Sequence, residues 1–162
     1  MEPDVVVEVG IHAPAATVWR LLVDPDQLVR WLGIAATLEP APGGQFRFEL
    51  FPGQFCSGRY VEVVPERRVV FTWGWEDPAI PVPPGSTTVA IDLEAAGPAL
   101  TRLRLTHSGL ADAVRPLHAD GWRRYTERLV AVAEGREPPA DPSLPHQGPD
   151  PAPNPLARGG AP

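Results

Sequence analysis

Lysine is missing from the 162 residues, so all 14 basic side chains are arginine, and against 20 acidic ones they leave a formal charge of −6. An acidic surface repels phosphate backbones, and no basic run interleaved with aromatics offsets that repulsion, so nucleic acid is not an expected partner. Cysteine is nearly absent: Cys56 stands alone, which excludes an internal disulfide and any multi-cysteine metal site. Histidine is sparse as well, and His12, His107, His118 and His146 show no ligand spacing such as His-x-x-x-His, so neither a metal nor another cofactor is expected. No apolar run approaches the roughly 18 residues that a membrane-spanning helix requires. The start, MEPDVVVEVG, has no basic stretch followed by a long apolar one, so no signal peptide is expected and the expected location is cytoplasmic. There is no G-x-S-x-G and no phosphate-binding glycine loop. No nucleophile has a readable base, since Ser108 faces away from His107 on a strand and Cys56 and Ser57 read as turn residues.

What is abundant is proline, 22 residues, and nine of them fall after Glu137 in EPPADPSLPHQGPDPAPNPLARGGAP. With scarcely any large apolar side chain there, ordering the segment costs backbone entropy without burial to offset it. The expectation is one domain over residues 1–136 and a disordered tail over 137–162.

Within the domain, Val5, Val7, Val9 and Ile11 alternate as on a half-buried strand. Pro14 suits a helix start before Val18, Trp19, Leu21 and Leu22, and Asp24-Pro25-Asp26-Gln27 caps a second short helix carrying Leu28, Trp31 and Leu32. Five further strands follow, each bounded by turn residues: QFRFEL, RYVEVV, VVFTWGW, TTVAIDLEA and LTRLRLTH. After Gly109, His118, Trp122, Tyr125, Leu129 and Val132 form one stripe of a longer helix, which Gly135 ends. This order describes an α+β domain in which a curved antiparallel sheet of about six strands packs on one amphipathic helix. The inner face carries large aromatics, and one amphipathic helix is too narrow to cover the concave surface of six strands, so a cavity is expected between helix and sheet.

The succession APAATVWRLLVDPDQLVRWLG, PGGQFRFEL, SGRYVEVVPERRVVFTWGW, TRLRLTHSGL and HADGW resembles the Hsp90 ATPase activator homologue group of the START/Bet v 1-like superfamily. The resemblance spans about Val5 to Gly135 and implies a helix-grip fold, the sheet wrapped round the C-terminal helix. Where the family pattern often reads Trp-Trp, this chain has Trp31-Leu32.

For function the resemblance implies a choice. The leading expectation is a non-enzymatic binder of a small apolar or aromatic molecule, lined by Phe46, Phe48, Phe71, Trp73, Trp75, Trp122 and Tyr125. The alternative is a cyclase or dehydratase in which His107, His118 or Tyr125 moves a proton in the cavity, and a third reading is a protein-interaction or chaperone-cofactor module. His107 ends an inward strand face and His118 opens the inward helix stripe, so the two are expected at one end of the cavity, where their plain role is structural. Arg59 meets a ligand if Val61 and Val63 face inward and is solvated if Tyr60 does.

Overall fold

The computed structural model describes residues 4–144. Seven strands form one antiparallel sheet in the order β1-β7-β6-β5-β4-β3-β2. They are β1 (Val5–Ile11), β2 (Ala35–Leu38), β3 (Gln45–Phe51), β4 (Gln54–Val64), β5 (Arg68–Trp73), β6 (Thr87–Gly97) and β7 (Leu100–Ser108). Helices α1 (Ala15–Val23) and α2 (Pro25–Leu28) follow β1, and the long α3 (Arg115–Ala133) follows β7. The sheet is curved round α3, the helix-grip arrangement that the order of elements implies. No helix among the described residues is long and apolar enough to cross a membrane.

Alternation decides which side chains reach the core. Phe46, Phe48 and Leu50 on β3, Val69, Phe71 and Trp73 on β5, and Leu103, Leu105 and His107 on β7 all point inward and are buried. Register aligns them: Val5, His107, Val89, Phe71 and Tyr60 are successive cross-strand neighbours over five strands. Facing them, α3 buries His118, Trp122, Tyr125, Leu129 and Val132, the stripe its spacing predicts. The opposite sheet face carries solvated charge, with Glu8 bridged to Arg104 at 3.3 Å and Arg68 to Asp92 at 2.6 Å; such half-exposed pairs contribute about 0–1 kcal/mol each.

Local chemistry fixes the helix ends. The Asp24 carboxylate accepts from the Asp26 N–H at 2.9 Å, with Pro25 at the first helical position. At the end of α3, Gly135 takes φ +77°, its N–H reaching the Val132 carbonyl while the Arg136 N–H reaches that of Ala131, the paired bonds of a Schellman stop.

Three readings of the sequence need correction. The sheet has a seventh strand, β2, too short and too evenly half-exposed to show an alternation signal. Strand β4 begins at Gln54, so Cys56 and Ser57 lie in a strand rather than a turn, and Cys56 is fully buried opposite Phe48. On that strand Tyr60 points inward and Val61 is 54% exposed, so Arg59 faces solvent, where its guanidinium donates to the Gly43 carbonyl at 3.0 Å. Of the proline-rich segment, residues 137–144 are described; the remainder of the expected disordered tail, His146 included, lies outside the described residues.

Candidate functional site

Between the sheet and α3 lies a cavity of about 310 Å³. The sheet supplies Phe48, Leu50, Trp73 and the adjoining Trp75; α3 and the turn before it supply Val114, Leu117, His118, Gly121, Trp122 and Tyr125. Leu32 closes it from the end of α2, Ile80 from the proline-rich loop and Ser143 from the segment after α3. The volume falls at the small end of the roughly 300–1,000 Å³ range of ligand pockets.

Phe48, Trp73, Trp75, His118, Trp122 and Tyr125 therefore meet on one space, as their phases predict. Phe46 and Phe71 do not reach it. They stack on each other at 3.9 Å between ring centroids, in the core below the cavity. Neither Arg59 nor His107 lines it. Leu117 and Ile80 at its rim were not legible as site residues, because neither shares the apolar stripe of its own element; Leu117 is 70% exposed.

The two histidines are next to each other, ring centroids 5.5 Å apart, and each is held by a tryptophan. Trp122 donates its indole N–H to His107 Nδ1 at 2.9 Å. An indole nitrogen only donates, so Nδ1 carries no proton and Nε2 does. That Nε2–H donates to Thr87 Oγ1 at 2.8 Å, and the threonine hydroxyl passes its own hydrogen to the Trp73 carbonyl at 2.9 Å. For His118 the logic is mirrored: Trp75 donates to Nε2 at 3.0 Å, leaving the proton on Nδ1, which donates to the Val114 carbonyl at 2.7 Å. The two rings are thus opposite tautomers, both neutral, with no lone pair left over.

Electrostatics agree with the hydrogen bonds. Burial, and secondarily the proximity of His118, pushes the His107 imidazole down to about 3. Burial also lowers His118, against an opposing contribution from the Val114 carbonyl. Tyr125 is raised above the ordinary phenol range, mainly by burial and then by Asp141. Its hydroxyl lies 2.6 Å from both Asp141 Oδ1 and Ser143 Oγ; its single hydrogen goes to the carboxylate and the serine hydroxyl donates in return. Cys56 is a buried thiol raised by desolvation, not a nucleophile. None of these groups is free to take a proton at neutral pH. Among the cavity side chains Trp73 stands out, because its buried indole N–H has no partner. No group of three potential metal-ligating side chains occurs among the described residues.

The model of the family described as activator of Hsp90 ATPase homolog 1-like protein matches residues 12–134, most of the chain and all of the cavity wall except Ser143. The chain belongs to the AHSA1 family. An AHSA1-like protein from Rhizobium etli is 38% identical to it over 95% of this chain and 97% of its own, with a TM-score of 0.66. A protein from Mesorhizobium loti is 26% identical over 83% of this chain and 99% of its own, with a TM-score of 0.72. The Aha1 dimer from Colwellia psychrerythraea shares the fold at 19% identity, covering 82% of this chain and 97% of its own with a TM-score of 0.69. Among curated protein sequences there is no significant match. In this AHSA1 chain the His107–Trp122 bond ties β7 to α3, and the His118–Trp75 bond ties α3 to the stretch just after β5.

Proposed function

We propose that this AHSA1 protein binds one small, flat, apolar molecule between its sheet and α3, without converting it. The observation that carries the reading is the cavity itself: about 310 Å³ walled by three indoles, Phe48, Leu50 and Tyr125, whose polar atoms are, Trp73 apart, already engaged within the protein. Such a wall offers dispersion and aromatic contact and discriminates against charge, since a charged ligand would lose its hydration without gaining a partner. The volume suits a compact ring system rather than a long acyl chain.

Catalysis by His107 or His118 is disfavoured by the same geometry, because protonating either ring means breaking an indole hydrogen bond in a buried site.

The test is a thermal melt with a panel of bicyclic phenols, flavonoids, polyketide aromatics and fatty acids. Compact aromatics are expected to raise the melting temperature in a concentration-dependent way, following mass action. Stabilisation by none of them, or by long-chain acids alone, would contradict the reading.

A further inference from the structure

The segment after α3 does not leave the domain directly. Following the Gly135 stop it turns back along the helix, and residues 137–144 run beside Arg124 and Glu127 on one flank while Ser143 forms part of the cavity wall on the other. The family model ends at residue 134, before this stretch, whereas the Rhizobium etli protein covers 95% of the chain.

Its attachment is polar. None of residues 137–144 is buried, so apolar burial contributes little to holding it. The Tyr125 hydroxyl bonds Asp141 and Ser143, and Asp141 Oδ1 also accepts the Ser143 N–H at 2.8 Å, which fixes the turn that presents Ser143 to the cavity. The Arg128 guanidinium donates to the Pro139 carbonyl and, through Nε, to the Trp31 carbonyl at 3.1 Å, linking the segment to the end of α2. Pro138, Pro139 and Pro142 restrict its backbone, so it tends to move as a stiff piece rather than fray residue by residue. A short segment held by three part-buried hydrogen bonds and one exposed one, with no buried side chain, belongs to the parts of a protein that open locally at low cost.

We propose that residues 137–144 are a strap that gates the cavity, with the Tyr125–Asp141 hydrogen bond as its latch. This rests on the ligand-binding reading above. When the latch is made, Ser143 closes one end of the space between α3 and the sheet; when it breaks, that end opens to solvent while the rest of the wall, built on β3, β5 and α3, stays in place. The strap governs the rate of entry and exit more than the affinity.

The test uses the full-length chain and the uncharged dye N-phenyl-1-naphthylamine in stopped-flow fluorescence. Asp141 does not line the cavity, so Asp141→Ala breaks the latch without removing any lining side chain. Loss of its hydrogen bonds should raise both association and dissociation rates about tenfold with a much smaller change in affinity. Asp141→Asn keeps the acceptor oxygen and removes the charge, so it should behave like the parent. Rates unchanged in Asp141→Ala would overturn the strap and leave the cavity reading standing. Equal acceleration in Asp141→Asn would also overturn it, since an acceptor oxygen on residue 141 would then not be what holds the strap. Absence of dye binding in all three proteins would remove the cavity reading and the gate with it.

Discussion

At the scale of single residues the decisive chemistry is a pairing of donors and acceptors. His107 and His118 stand where a catalytic pair would stand, yet Trp122 and Trp75 occupy the nitrogen that a general base would use. That the two histidines share one end of the fold was legible from their phases on β7 and α3. Their tautomers were not, because those depend on which indole reaches which ring nitrogen across elements far apart in sequence. A stability consequence follows. Each imidazole has a folded-state pKa below its ordinary value near 6.5, about 3 for His107, so between these limits the unfolded chain binds more protons than the folded one. The stability these neutral rings provide is complete above about pH 6.5 and is lost as pH falls, at up to about 1.4 kcal/mol per pH unit for each ring. Glu76 and Glu134, both lowered from 4.5, stay ionised from pH 7.5 to 5 and do not mask the trend. Thermal melts over that range should show the melting temperature falling with acidification, and His107→Gln should flatten the slope. A pH-independent melting temperature in the parent would contradict neutral, capped histidines.

At the scale of elements, α3 carries a residue that helix propensity alone disfavours. Gly121 sits in the interior of this helix, where glycine is worse than alanine by about 1 kcal/mol, and it lines the cavity. Close packing does not require it, since a Cβ built there would meet nothing within 4 Å. Under the proposed binding role, room for a ligand accounts for it. Gly121→Ala should therefore raise unfolding stability by up to about 1 kcal/mol in denaturant titration, while Gly121→Leu, which fills the space, should abolish binding of compact aromatics. Destabilisation by Ala would show that the glycine answers a backbone need instead. Most elements were readable because their periods are clean: β3 and β7 alternate strictly, β5 does so apart from a buried Val70, and α3 repeats at helical spacing. Failures came where that signal is weak. Strand β2 has four residues with no buried side chain, and β4 contains irregular pairing between Tyr60 and Glu62 that shifts the phase on which Arg59 was weighed. The proline-rich segment shows a different limit: its composition gives no sign that Asp141 and Ser143 find a buried tyrosine to bond.

At the scale of the whole molecule, a sheet too wide for one helix to cover leaves a gap, the space the proposed ligand would fill. The outer sheet face is solvated charge and the inner face is aromatic core, so the space beside Trp73, Trp75 and Trp122 is the place where an apolar molecule gains most by leaving water. Five tryptophans make this directly observable, because each gives one indole N–H resonance and only Trp73, Trp75 and Trp122 border the cavity. Trp19 and Trp31 lie on α1 and just beyond α2, the latter bonded to the Leu21 carbonyl at 2.7 Å. Titration of the nitrogen-15-labelled protein with 1-naphthol should move the three cavity resonances saturably and with one dissociation constant, leaving those of Trp19 and Trp31 in place. No saturable shift, or shifts confined to Trp19 and Trp31, would contradict a binding site between sheet and helix.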